Sequence, residues 1–273
     1  MSDSLFIPSA NGHVKPTEHA RGPWDPRALH GGAPAALIAR AFERMEPGAE
    51  LPIARLGFEF LKPIPFAELE LSTRVVRNGR RVQELTAELT AGGETIGRAS
   101  ALRLQAVPDG LPDPDRRRAQ PGPEAVRAIP GPERGKIVKF ALNDTETSSL
   151  ATTGMEMSWL TDPWSLGPGK VWMRLRQPIV PGEEATPLVR LVATADFGNG
   201  ISAELPFGEY LFINADLTIH LWRRPRGEWI GLDAKTVLMD GGAGTAESVL
   251  HDTDGPVGRA MQTLVVQPRP TTC

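Results

Sequence analysis

Between Ala33 and Arg44 small and apolar residues fill almost every position. Leu37 and Ala41, and Ile38 and Phe42, recur at i,i+4 spacing. That periodicity predicts an Ala-rich helix, close to which a sheet can wrap because little side chain intervenes. Apolar and polar residues then alternate over 53–61, 67–77, 81–90 and 95–105, which predicts four strands. Asn78-Gly79 supplies a hairpin turn, and residues 91–94 (Ala-Gly-Gly-Glu) a second tight turn.

The second half repeats this order. Residues 170–176 read as a strand, and Pro187 opens a helix over 187–195. Residues 211–222 (LFINADLTIHLW) read as one strand, parallel to IARLGFEFL at 53–61; each is followed by a basic residue and proline. Strands over 229–237, 246–252 and 257–266 complete a meander. A helix followed by an antiparallel sheet, twice over, is an α+β plan. The last strands of the two halves both open Gly-Arg-Ala, at Gly97 and Gly258. The second carries Gln262 where the first carries Ala101, and a buried amide requires partners.

Seven of the 26 prolines fall between Pro108 and Pro132, among Asp, Arg and Gly. Such a stretch sustains neither helix nor central strand and divides the chain into residues 1–107, a linker over 108–136, and residues 137–273.

Composition narrows the functional classes. A net charge of -3 over 273 residues gives no electrostatic reason to expect nucleic acid or an anionic membrane. Arginine clusters at 80–81, 116–118 and 223–224 read as solvated strand and loop ends, or as contacts to a ligand phosphate. The single cysteine, Cys273, excludes an intramolecular disulfide and fits a reducing, cytoplasmic setting. No secretory signal opens the chain, and no apolar run reaches membrane-spanning length. The five histidines lack metal-ligand spacing, so neither metal nor cofactor is expected.

His30-Gly31-Gly32 ahead of the Ala-rich helix, Phe60-Leu61-Lys62-Pro63 ending the next strand, and the Asn78-Gly79 hairpin resemble the N-terminal half of the thioesterase II family of acyl-CoA thioesterases. Ala215-Asp216-Leu217, Glu228-Trp229, a Thr on the next strand and a Gln on the last resemble its C-terminal half. The resemblance spans roughly residues 25 to 268, apart from the linker. It implies a double hotdog fold, in which one long curved sheet wraps two helices. It also implies hydrolysis of acyl-CoA, or of an acyl-carrier thioester, to the free acid without metal.

Thioester hydrolysis needs an activated water and a stabiliser for the developing oxyanion. The family arranges an Asp, a Thr or Ser, and a Gln around that water. Carried over, these positions fall on Asp216, Thr236 (or its neighbour Val237, which lacks a hydroxyl) and Gln262. Period 2 puts Asp216, Thr218 and His220 on one strand face, and Gln262 with Ala260 and Leu264 on one face of another. His30, Gly31, Gly32 and Ala33 precede or open the helix. The amides of Gly32 and Ala33 there are a candidate oxyanion site at the positive end of the helix dipole.

Two other functions compete. Asp25 and His30, five apart, resemble the acid and base of a hotdog hydratase or dehydratase, but the Asn-Pro expected between them is missing. The third is a non-catalytic acyl-CoA binding protein. Exposed sheet edges lead to an expectation of a homo-oligomer.

Overall fold

The computed structural model describes residues 3–46, 51–106, 128–139 and 148–270. Most of the linker, the arginines at 116–118 and Cys273 lie outside these. In chain order the strands of the first half are β1 (Phe6–Pro8), β2 (Val14–Pro16), β3 (Ile53–Phe60), β4 (Glu70–Asn78), β5 (Val82–Ala91) and β6 (Glu94–Leu104), with helix α1 (Gly32–Arg44) before β3. The second half contains β7 (Lys136–Ile137), β8 (Met155–Trp159), β9 (Gly169–Leu175), helix α2 (Pro187–Ala195), the one-turn α3 (Gly198–Ile201), β10 (Tyr210–Asn214), β11 (Asp216–Leu221), β12 (Trp229–Met239), β13 (Ala243–Asp252) and β14 (Gly255–Pro268).

β1 and β2 form a two-stranded sheet, bridged at Val14 to Leu69, and the other strands of the described residues form one 12-stranded sheet. It runs β4-β5-β6-β3-β11-β14-β13-β12-β9-β8-β7, with β10 also on β14. The order shows the duplication: β3-β6-β5-β4 in one half repeats as β11-β14-β13-β12 in the other. The halves join through β3 and β11, antiparallel, with Leu217 opposite Phe58 and Ile219 opposite Leu56. This is the α+β double hotdog expected from the sequence, one curved sheet around two helices.

Inside the curve, α1 and α2 pack antiparallel. Arg40, near the end of α1, pairs with Glu183 just ahead of α2, and His30, ahead of α1, reaches Asp196 just after α2. Ala33, Ala35, Ala36 and Ala39 of α1 and Ala193 and Ala195 of α2 are fully buried. Leu37, Ile38 and Phe42 anchor α1; burying each contributes about 1.5–3 kcal/mol. Thr186 caps α2 by accepting from the Val189 amide at 3.2 Å.

The strand expected over 211–222 is two strands. Asn214 pairs with Leu264 while Thr218 pairs with Met261, so β10–β11 carries one residue more than β14 over that stretch. This is a β-bulge. It reverses the alternation, so that Phe212, Leu217 and Ile219 are all buried although a continuous period of 2 would set Phe212 against the other two. β3 bends at the equivalent place, where register shifts between Ile53 and Arg55.

Candidate active site

The end of α2 meets the start of α1 at Asp196, which is 2% exposed. Its Oδ2 lies 3.0 Å from His30 Nδ1. Its Oδ1 accepts from Asn214 Nδ2 at 2.6 Å and from Gln262 Nε2 at 3.4 Å. Gln262, 1% exposed, also donates to the Asp196 carbonyl at 3.0 Å, and its Oε1 accepts from the Asn199 amide at 3.1 Å. Asn199 Nδ2 donates in turn to Asn214 Oδ1 at 2.7 Å and to the Phe212 carbonyl at 2.9 Å. Gln262 and Asn214 therefore each have the carbonyl end tied and the NH2 end aimed at the carboxylate. That arrangement fixes the orientation of both.

Two glycines permit the close approach. A Cβ on Gly32 would stand 2.5 Å from the Ala193 carbonyl oxygen, where α1 starts against the end of α2. A Cβ on Gly198 would stand 2.8 Å from Gln262 Oε1 and 2.6 Å from Ser248 Oγ. The His30 ring stacks on Phe197, with centroids 4.1 Å apart. Its Nδ1 also lies 3.1 Å from the Gly32 amide. One nitrogen cannot accept from Gly32 and donate to Asp196 at once, so the tautomer decides which contact forms. A proton on Nδ1 forms the His30–Asp196 hydrogen bond.

Of the residues singled out in the sequence, Gln262, His30, Gly31 and Gly32 come together here. Asp216 does not join them. The bulge turns its carboxylate to the outer face, where Oδ1 accepts from the Thr263 amide at 2.6 Å, and Gln262 faces inward to Asp196 instead. Thr236 is buried on the inner face two strands from Gln262, opposite Ala246, which itself lies opposite Gln262. Its hydroxyl meets Ser202 Oγ at 2.8 Å, and Ser202 donates to the Gly198 carbonyl at 2.9 Å. Thr236 thus buttresses α3, while its neighbour Val237 points outward and is exposed.

The expected oxyanion amides are engaged within their own turn. Ala33 N–H donates to the His30 carbonyl at 3.0 Å, and Gly32 N–H faces His30 Nδ1. Among the described residues no hydrogen bond engages the Gly31 amide. Asp25, the other half of the hydratase-like pair, is held by Arg27 at the surface through contacts of 2.8 Å to its Oδ1 and Oδ2. Those hydrogen bonds lower its pKa to about 2.

The sequence pattern does not single out Asp196, Asn199 or Asn214. The first follows a helix and the third precedes a bulge, so no alternation marks either. One signal was present: Asp196 lies nine residues after Pro187, as Glu43 lies nine after Pro34.

A double hotdog with a buried carboxylate, two amides and a histidine at the junction of its central helices is the frame of a protein acting on acyl thioesters. Residues 20–104 match the acyl-CoA thioesterase N-terminal domain and residues 108–266 the acyl-CoA thioesterase C-terminal domain; the chain belongs to this family. No curated protein sequence matches it. Among solved structures it is similar to a hot dog fold protein from Alicyclobacillus acidocaldarius (15% identity, TM-score 0.69, covering 97% of this chain and 96% of that one). It is also similar to the acyl-CoA thioesterase II TesB2 of Mycobacterium marinum (16%, 0.62, 90% and 92%) and to a tesB protein of Mycobacterium avium subspecies paratuberculosis (15%, 0.59, 91% and 94%). At these identities the structures speak for the fold. No helix among the described residues is long and apolar enough to cross a membrane.

Proposed function

We propose that this protein hydrolyses acyl-CoA thioesters to the free acid and CoA, with Asp196 as general base. The observation carrying this reading is the convergence of Asn214, Gln262 and His30 on one buried carboxylate beside the α1 N-terminus. An ionised carboxylate offers about four acceptor positions. Three are addressed by these side chains, which leaves one for a water. That water gives its proton to Asp196 as its oxygen attacks the thioester carbon. The C–S bond then breaks, and the proton passes to the leaving thiolate.

The carbonyl oxygen gains charge during attack. The Gly31 amide and the positive end of the α1 dipole serve as its stabiliser in this scheme. An apolar cluster beside Asn199, in which Trp24 stacks on Phe207 at 5.2 Å and Phe212 packs on both, is suited to an acyl chain. We further propose that the protein is cytoplasmic and homo-oligomeric. The exposed outer-face residues Val237, Met239, Met261 and Val265 favour self-association. Thiol release from a panel of acyl-CoAs tests the activity, and release from none of them contradicts it.

A further inference from the structure

The duplication gives the fold a second junction of helix ends, where α1 stops and α2 starts. A cavity of about 500 Å³ lies there, lined by Glu43, Arg103, Ile53, Thr186 and Ala185 among others. Its residues map one by one onto the Asp196 site. Glu43 follows Pro34 by nine residues as Asp196 follows Pro187. Ala101 occupies on β6 the place of Gln262 on β14, counted from the shared Gly-Arg-Ala. Ile53 and Arg103 pair beside the β3 bulge as Asn214 and Leu264 pair beside the β10–β11 bulge. The carboxyl is therefore kept, both water-clamping amides are replaced by apolar residues, and an arginine stands where the other half has a leucine.

Arg103 is 1% exposed. Its Nη1 donates to Gln83 Oε1 at 2.8 Å and its Nη2 to the Phe42 carbonyl, while its buried Nε has no hydrogen-bond partner among the described residues. Arg40 and Arg44, on the same wall, are already paired with Glu183. Glu43 accepts from the Thr186 hydroxyl at 2.5 Å, and burial pushes its carboxyl above the ordinary range against that hydrogen bond and the nearby Arg103 charge. Among the described residues no hydrogen bond joins Glu43 to Arg103, whose charge also lies near Glu46. A buried guanidinium whose Nε is unengaged among the described residues, beside apolar walls from Ile53, Ile179, Leu188 and Leu221, calls for an anion with a hydrocarbon tail.

We infer that this cavity is a second, non-hydrolytic site that binds a medium-chain carboxylate, its head group accepting from Arg103 Nε. The site is separate from the Asp196 site and stands whether or not Asp196 is the catalytic base. It lacks the two amides that orient the Asp196 carboxylate, so a water there is not clamped for attack.

Crystals of the whole protein grown with 10-bromodecanoate test this directly. Anomalous bromine density in the cavity, with the carboxylate against Arg103, is the expected result; bromine found only near Asp196, or nowhere, overturns it. Calorimetry with decanoate gives an independent measure. Arg103→Lys, which loses the guanidinium fork, is expected to weaken binding about tenfold at this site, and Ala185→Trp, which fills the cavity, to remove it. Decanoate binding unchanged in both variants, or decanol binding as well as decanoate, overturns the assignment.

Discussion

His30, just before α1, meets Asp196, just after α2, with Nδ1 and Oδ2 3.0 Å apart. The two residues are 166 positions apart and belong to different halves of the duplicated chain. The contact exists because the helices run antiparallel, so that the start of one faces the end of the other. Neither half alone holds the site. Replacing His30 by Ala removes the side chain facing Asp196 Oδ2 and the stacking on Phe197. Thiol release is expected to fall about 10-fold or more, with the larger effect on kcat. A change confined to KM would mean that His30 binds substrate and does not position Asp196.

Gln262 joins Asp196 to Asn199 through both ends of its amide. Gln262→Leu leaves the Asn199 amide without its acceptor and is expected to cost about 1–3 kcal/mol of stability. The rate is expected to fall about 10²–10³-fold. Gln262→Glu keeps the acceptor for Asn199 but sets a second carboxyl against Asp196, so it is expected to restore stability better than rate. Chemical denaturation and thiol release on the same samples separate the two effects.

Thr236 tests whether a hydroxyl acts directly or through α3. It touches Ser202, which holds Gly198 next to Gln262. Thr236→Val should therefore cost about 1 kcal/mol of stability and only a few-fold in kcat. A loss of about 10²-fold without destabilisation would place the hydroxyl at the water itself.

His251 gives the fold a pH dependence of its own. The side chain is buried, and neither ring nitrogen has a hydrogen-bond partner among the described residues. Burial lowers its pKa to about 4. The folded state therefore prefers the neutral ring. Its contribution is complete above the unfolded value near 6.5 and is lost as pH falls from there toward 4. The full loss amounts to about 3 kcal/mol. Neighbouring Asp252 acts in the same direction at lower pH, below its ordinary value of 3.8. Burial pushes its carboxyl up, but hydrogen bonds from Arg223 and the amides of Asp254 and Arg226 outweigh this and hold it below the ordinary range. Denaturation midpoints at pH 7, 5.5 and 4 should fall less steeply in His251→Leu than in the wild type. Parallel slopes would show that the histidine is not the cause.

The halves, their helices and most strands were legible because burial on one face writes a period of 2 or 3.6 into the sequence. Gln262 was legible for a related reason: an amide among Ala260, Leu264 and Val266 stands out. Asp216 misled because LFINADLTIHLW reads as one strand. A single extra residue at the bulge turns Asn214 inward and Asp216 outward, and side-chain alternation does not report it. Asp196 was hidden differently. It follows a buried helix, where a lone acidic residue reads as a solvated end, and only its match with Glu43 at the same distance from a proline marks it. The split role of His30 Nδ1, facing both Gly32 and Asp196, depends on a contact between halves that no local pattern encodes.

The central claim is that Asp196, not Asp216, supplies the base. The most direct measurement compares thiol release from acyl-CoA by wild type, Asp196→Asn and Asp216→Asn, each checked for folding by its thermal transition. Asp196→Asn is expected to lower kcat by about 10²–10⁴-fold, the range for losing a general base. Asp216→Asn, whose carboxylate meets the Thr263 amide on the outer face, is expected to stay within about 2-fold of wild type. Near-normal turnover in folded Asp196→Asn, or its loss in folded Asp216→Asn alone, would contradict the account.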